Sequence, residues 1–150
     1  MKKPKAKSAD LSLEMLKELP GVAYLCDNDG LYTMRFLSPT LREVVGYAPG
    51  DFIANKKHFA ASVVLPEDLD VVDEFAELVA HTDATVGARY RLVRSNGEVF
   101  PALVFARAVR SKAGGKVKGF SGFLADISTM PALQGKPQVV SRKGGAKARP

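Results

Sequence analysis

The feature that most constrains the fold is an Asn96-Gly97 pair between two runs of residues with strand-like character. Residues 85–94 alternate between two faces, with Tyr90 on the more apolar one, and residues 99–110 return beyond the pair. Asn-Gly strongly favours a two-residue hairpin turn because both residues tolerate a positive φ. We therefore predict two antiparallel strands joined at this point.

Three more strands and a helical block complete the predicted element order. Residues 22–26 and 31–37 are predicted as strands around a turn at residues 27–30, and residues 117–127 form the last strand. Short helices, and a longer helix that begins at Pro66, lie between the first two strands and the last three. This order predicts one antiparallel sheet with helices on one face.

Three carboxylates lie near the start of the longer helix. Glu67, Asp68 and Asp70 occupy its first turns, where the helix dipole favours acidic side chains. We interpret them as helix-start residues and not as a paired-carboxylate catalytic site. Asp126, in the last predicted strand, is interpreted as a structural residue at the end of the sheet.

The net charge of +6 belongs to the two ends of the chain. Basic residues crowd both ends, whereas acids slightly outnumber bases over residues 11–129. Polar, charged ends of this kind are typically disordered. We predict a disordered arm over residues 1–9, a folded domain with an N-terminal flanking helix over 10–129, and a disordered tail over 130–150.

Five short motifs follow one another along the chain. They are Leu19-Pro20-Gly21-Val22 before the first turn, Phe36-Leu37-Ser38-Pro39 with Val45-Gly46-Tyr47, Leu65-Pro66-Glu67-Asp68, Tyr90-Arg91-Leu92 with Ser95-Asn96-Gly97-Glu98, and Asp126-Ile127-Ser128. In this order and spacing they resemble the PAS domain family. Leu65 stands where the family commonly has His.

The resemblance implies a five-stranded antiparallel sheet of order 2-1-5-4-3, with helices over one face and room for a small ligand cavity. It implies a sensory or regulatory binding module in signal transduction, which is not an enzyme. Its partners would be a small apolar molecule, a separate signalling protein, or both. Many members continue into a long helix that leads to an output domain, but Pro131 would break such a helix here. We expect a free-standing module or a fragment.

We expect neither haem nor flavin as a cofactor, and no metal site. His58 and His81 are the only histidines, and the helix dipole explains His81 near the end of the longer helix. Cys26 lies on the first predicted strand, whereas flavin-binding light sensors carry Asn-Cys-Arg on a helix. We interpret Cys26 as a packing residue. A single cysteine also excludes an internal disulfide.

Seven large apolar residues are candidate cavity residues, although core packing alone would also explain them. They are Tyr24, Phe36, Tyr47, Phe52, Leu92, Phe105 and Phe123. Those that line a cavity would select a mostly apolar molecule.

Leu11, Met15 and Leu19 form an apolar stripe on a predicted helix over residues 10–19. A helix this short is marginal alone in water, so the stripe is expected to dock. The candidates are the matching helix of a second chain, which makes a homodimer, or the uncovered face of the chain's own sheet.

Two other functions stay open at this point. The basic tails suit a nucleic-acid-associated transcriptional regulator, whose binding would depend steeply on salt. A small cavity enzyme would need a buried acid or base with a perturbed pKa. The sequence has no run of about 18 apolar residues that could span a bilayer and no secretory signal, so we predict a cytoplasmic location.

Overall fold

The computed structural model describes residues 21–54 and 56–140, which form an antiparallel sheet with helices against one face. The strands are β1 Gly21–Asp27, β2 Met34–Leu37, β3 Val86–Val93, β4 Val99–Arg110, β5 Val117–Asp126 and β6 Gln138–Val139. The helices are α1 Leu41–Val45, α2 Phe59–Val63 and α3 Leu69–Ala80, with 3-10 turns at Pro49–Asp51, Pro66–Asp68 and Pro131–Leu133. The spatial order of the strands is β2-β1-β5-β4-β3-β6. The predicted fold class and the order 2-1-5-4-3 are confirmed, and β6 extends the sheet by one strand.

The β3–β4 hairpin forms at the Asn96-Gly97 pair. Gly97 has φ +92°, a conformation that glycine adopts without steric cost. The amide of Arg94 donates to the Glu98 carbonyl oxygen at 2.8 Å, and that of Gly97 donates to the Arg94 carbonyl oxygen at 2.9 Å. These bonds fix the register in which Val93 faces Val99.

One face of the sheet is buried beneath the helices because side chains alternate along each strand. The buried residues of the two central hairpin strands are Val86, Ala88, Tyr90 and Leu92 on β3 and Phe100, Ala102, Val104 and Ala106 on β4. They belong to one hydrophobic core with Val72, Phe75 and Val79 of α3. Burying each large apolar side chain contributes about 1.5–3 kcal/mol to folding.

The opposite side of the sheet, here called the open face, also carries large apolar residues. Leu25 is paired with Phe36, and Phe105 with Phe123, across neighbouring strands. Leu25, Phe36 and Phe105 are 37%, 50% and 40% exposed, respectively. The described residues therefore leave an apolar surface uncovered on this side.

The second strand is shorter than the sequence predicts, because residues 28–33 form a structured turn. The Asp29 carboxylate accepts hydrogen bonds from the amides of Leu31 (3.0 Å) and Thr33 (3.3 Å) and from the Thr33 hydroxyl. Tyr32 has φ +55°, which is incompatible with a strand. β2 consequently begins at Met34 and not at Leu31.

The C-terminal segment departs from the prediction of a disordered tail over residues 130–150. Residues 131–133 form a 3-10 turn, and β6 pairs with β3 through Ala88–Val139 and Arg89–Gln138. The amide of Val140 also donates to the Gly87 carbonyl oxygen at 2.8 Å. The physical reason is that β3 would otherwise expose unpaired backbone groups at the sheet edge. The predicted arm over residues 1–9, the helix over 10–19 and residues 141–150 lie outside the described residues.

None of the helices in residues 21–54 and 56–140 has the length and apolar content needed to cross a bilayer.

Candidate functional site

A cavity of about 50 Å³ lies between the covered face of the sheet and the helices. Its sheet wall includes Val22, Tyr24, Cys26, Tyr90, Ala106, Phe120 and Leu124, and its helical wall includes Phe59, Ala60, Val72, Phe75, Ala76 and Val79. A volume of about 10–15 Å³ admits one water molecule by this measure. The cavity therefore has room for roughly three to five water-sized groups.

The space exists because small residues lie beneath a large ring. Tyr24 lies across Gly122 of the neighbouring strand, where a Cβ atom would come within 2.6 Å of the tyrosine oxygen and would also meet the Phe105 carbonyl oxygen. Ala106 and Ala76 contribute only methyl groups to the same cavity. Glycine at position 122 thus makes room for the Tyr24 ring, and the two alanines leave volume that larger side chains would fill.

Besides Tyr32 at its edge, the cavity wall contains three described residues with titratable side chains, Tyr24, Tyr90 and Cys26. Burial raises the pKa of both tyrosines, and proximity of the two hydroxyls adds to the effect on Tyr24. Burial likewise raises the pKa of the Cys26 thiol to about 12. All three groups are therefore neutral near pH 7, because the buried environment disfavours their charged forms.

Tyr32 closes one edge of the cavity. Its half-buried side chain lines the cavity, and its hydroxyl donates to the exposed carboxylate of Asp73 on α3 at 2.6 Å. Burial, followed by this hydrogen bond, raises the pKa of Tyr32. The bond ties the structured β1–β2 turn to the long helix at this edge of the cavity.

The start of α3 is tied to β3 by a bidentate ion pair. Asp68 accepts hydrogen bonds from Arg91 Nε (2.9 Å), Nη2 (2.6 Å) and the Arg91 amide (2.8 Å). These bonds lower the pKa of the Asp68 carboxyl. The sequence interpretation of Asp68 as a helix-start residue was incomplete, since its side chain caps no helix amide. Glu67 and Asp70 are exposed, as expected for helix-start charges.

Asp126 lies at the end of β5, where its carboxylate accepts a hydrogen bond from Arg94 Nη2 at 3.0 Å and one from the Ser128 amide at 2.9 Å. It therefore ties the end of the sheet to the β3–β4 hairpin and does not line the cavity.

The structure brings one of the seven candidate cavity residues, Tyr24, into the cavity wall. The prediction that Phe36, Phe105 and Phe123 line the cavity is wrong, because all three lie on the open face. On β4 and β5 the covered positions are the even-numbered ones, such as Ala106 and Leu124, so odd-numbered neighbours point away.

The other three candidates pack elsewhere beneath the helices. Phe52 and Leu92 are fully buried core residues outside the cavity. Tyr47 is half-buried and lies edge-on against Phe52, with a ring-centroid distance of 5.2 Å. These three residues pack in or against the hydrophobic core. The sequence analysis gave core packing as the alternative to a cavity position.

Sequence reasoning missed Cys26, Tyr32 and Tyr90 as cavity residues. Strand alternation from Tyr24 contained the signal for Cys26, because residues two apart share a face. The alternation of β3 likewise placed Tyr90 on its apolar face. Nothing in the sequence indicated Tyr32, whose position depends on the turn at Asp29 and the contact with α3.

The two histidines lie away from the cavity. His81 follows the last residue of α3 and hydrogen bonds through Nδ1 to the Glu77 carbonyl oxygen at 2.8 Å. His58 is exposed at the start of α2. In the part of the chain that the structure describes, no three His, Cys, Asp or Glu residues cluster as a metal site would require.

Comparison with known proteins identifies the family. A family model described as the PAS fold matches residues 34–124, more than half of the chain. The chain belongs to the PAS family. PAS domains are signal-sensing modules, and the resemblance predicted from the sequence motifs is thereby confirmed.

Solved structures support this assignment at the level of the fold. The N-terminal domain of a diguanylate cyclase with a PAS/PAC sensor from Marinobacter aquaeolei is 20% identical, with a TM-score of 0.60 over 73% of this chain and 96% of that chain. A PAS domain from Colwellia psychrerythraea is 11% identical, with a TM-score of 0.63 over 81% and 98%. The PAS-B domain of Drosophila melanogaster Cycle, with bound ethylene glycol, is 14% identical, with a TM-score of 0.58 over 79% and 99%. A search of curated proteins finds no match to this PAS domain.

Proposed function

We propose that this PAS domain is a sensory or regulatory module that binds a small, mostly apolar molecule in the cavity beneath α3. The observation that carries the proposal is the cavity itself, with its largely apolar wall and its edge at Tyr32. Most buried space in proteins is filled to crystal-like density. A retained cavity with convergent polar groups is a feature of ligand sites.

We propose that the module acts without catalysis. None of the described residues that line the cavity is an Asp, Glu, His, Lys or Arg. The titratable groups on its wall, Cys26 among them, have pKa values raised by burial, which leaves them protonated near pH 7. A general base needs a pKa near the working pH, and these groups do not offer one.

The proposed absence of haem and flavin is supported by size. Both cofactors carry multi-ring systems far larger than the roughly three to five water-sized groups that the cavity admits. Cys26 does face the cavity, but from a strand of the sheet and not from a helix. A cytoplasmic location is part of the same proposal.

We propose that the open face and the segment containing Leu11, Met15 and Leu19 together form a homodimer contact. The first described residue, Gly21, lies beside Phe123, since a Cβ at Gly21 would meet its ring. The described part of the chain therefore begins next to the apolar open face. An isologous contact between two copies would bury both the stripe and this face. A separate signalling protein would then bind one arrangement of the dimer in preference to another.

Native mass spectrometry of protein purified from its own host tests the binding function. The expected result is a chain that carries an additional small mass, lost on denaturation. The control is Ala76→Leu, which adds three carbon atoms to the cavity wall and should abolish that mass while the circular dichroism spectrum is retained. A wild type and a variant that both show the bare chain mass would contradict the proposal.

A further inference from the structure

Two tyrosine hydroxyls in the cavity wall lack a hydrogen-bond partner within the described residues. Tyr90 is only 7% exposed, and the partly buried Tyr24 has its ring across Gly122 within the cavity. Neither hydroxyl forms a hydrogen bond with another described residue. Tyr32, at the edge of the same cavity, contrasts with them, because its hydroxyl is bonded to Asp73.

A buried hydroxyl without a partner is costly, since it loses its bonds to water on folding. Most buried polar side-chain atoms in proteins are paired for this reason. Phenylalanine would fill nearly the same volume without that cost. The two oxygens therefore indicate a polar atom that the protein does not itself supply, placed between the sheet and α3.

The charge of the wall limits what that atom can be. The described lining residues carry no ionised side chain, so a charged ligand would be buried without a counter-charge. Burial of an unpaired charge is far more costly than burial of a hydrogen-bonded neutral group. Neutral tyrosine hydroxyls, by contrast, readily donate to a carbonyl or hydroxyl oxygen.

We propose that the ligand is a compact, uncharged molecule with an apolar body and one carbonyl or hydroxyl oxygen, which accepts hydrogen bonds from Tyr24 and Tyr90. This proposal rests on the proposed function, because it specifies the ligand class of the same cavity. The apolar body packs against α3 residues such as Val72 and Phe75, which line the same cavity.

Three probes of equal heavy-atom count test the proposal in the full chain. They are butanone, its methylene isostere 2-methylbut-1-ene, and propanoate, which has nearly the same shape with a negative charge. Each contains five heavy atoms, which suits a cavity with room for roughly three to five water-sized groups. Binding is followed by NMR through the methyl resonances of cavity residues such as Ala76 and Ala106.

Tyr24→Phe and Tyr90→Phe each remove one oxygen and keep the ring. In either variant the Kd for butanone should rise about threefold to tenfold, as expected for loss of one hydrogen bond. The Kd for 2-methylbut-1-ene should stay the same or fall, which also shows that the variant keeps a folded cavity. Propanoate should not bind. Tyr47→Phe is the matched control, since its hydroxyl lies outside the cavity, and it should change neither Kd.

The outcomes separate the ligand class from the binding function. If both probes bind but neither tyrosine variant weakens butanone, the hydrogen-bonding proposal is wrong while the apolar binding site stands. Propanoate binding more tightly than butanone would overturn the proposed neutrality. If none of the three probes shifts the cavity resonances, the binding function fails together with the ligand class.

Discussion

Replacement of Asp68 by Asn tests how the long helix is attached to the sheet. The Asp68 side chain is 3% exposed and its partner Arg91 is 44% exposed. The carboxylate accepts three hydrogen bonds from that one residue, two from the guanidinium and one from the backbone amide. An amide side chain has the same shape but a single acceptor oxygen, and its NH₂ group would face N–H donors.

The expected loss follows from these contacts. A hydrogen bond to a charged group contributes about 1.5–3 kcal/mol, and an unsatisfied buried partner adds to the cost of removing it. Because nearly half of the Arg91 side chain is exposed, water screens and partly replaces the lost bonds. We therefore expect Asp68→Asn to lower the free energy of unfolding by about 2 kcal/mol near pH 7.

The pH dependence has a definite sign. Hydrogen bonds from Arg91 lower the pKa of the Asp68 carboxyl in the folded state, relative to about 3.9 in the unfolded chain. The stabilisation is therefore fully present above the unfolded pKa and is lost as the pH falls through the folded pKa. The difference between wild type and Asp68→Asn should be constant from about pH 5 upward and should shrink below about pH 4.

Urea unfolding followed by circular dichroism, repeated from pH 2.5 to 7, measures this difference. Asp70→Asn is the matched control, because Asp70 is an exposed carboxylate in the first turn of α3. Its effect should stay below about 1 kcal/mol, the range of helix-dipole interactions at exposed sites. Equal effects of the two substitutions at pH 7, or a difference for Asp68→Asn that persists unchanged into acid, would refute the reasoning.

Three further predictions concern the cavity floor, assembly and colour. Gly122→Ala should lower the free energy of unfolding by about 1–3 kcal/mol by crowding the Tyr24 hydroxyl and the β4 backbone; in urea unfolding, an equal loss for Gly50→Ala, whose added methyl meets nothing within 4 Å, would contradict this. Leu11→Asp with Met15→Asp should convert the proposed homodimer into a folded monomer by light scattering, and a wild type that stays monomeric at high concentration would rule the contact out. Protein purified from its host should be colourless, and a visible absorption band would disprove the proposed lack of haem and flavin.

The sheet could be predicted from the sequence because its signals are local. The Asn96-Gly97 turn and the flanking alternation specify a hairpin within a short window, and the resemblance of the motifs supplied the strand order. β6 could not be predicted this way. A strand of two residues has no recognisable periodicity. It forms because the unpaired backbone N–H and C=O groups at the β3 edge can pair with residues 138–139.

The cavity was less predictable because both faces of the sheet carry large apolar side chains. Alternation shows that Phe105 and Ala106 lie on opposite faces of β4, but not which of those faces the helices cover. Choosing residues by size favoured Phe105 and Phe123, which lie on the open face. The space lies instead next to the small residues Ala76 and Ala106, which selection by size passes over.

The ion pair at the helix start was likewise not predictable from a local pattern. Glu67, Asp68 and Asp70 all carry carboxylates, and all three lie near the start of the helix, where the dipole favours acidic side chains. Only the packing of α3 on β3 places one of them, Asp68, against the backbone and guanidinium of Arg91. Long-range pairing of this kind has no local signature, although both partners lie within motifs that carry the family resemblance.

Gly122 also connects the two proposals made for this domain. At this position the sheet is bare backbone, with the Tyr24 hydroxyl over one side and the Phe105 carbonyl oxygen beside it. Phe105 in turn pairs with Phe123 on the open face, next to the point where the chain enters β1. In the proposed complex, a ligand oxygen that accepts a hydrogen bond from Tyr24 would act on a side chain that lies over Gly122, in a strand that also carries Phe123. A population shift between two arrangements of the proposed dimer requires that the ligand favour one of them, and we propose that β5 around Gly122 links cavity occupancy to the open face.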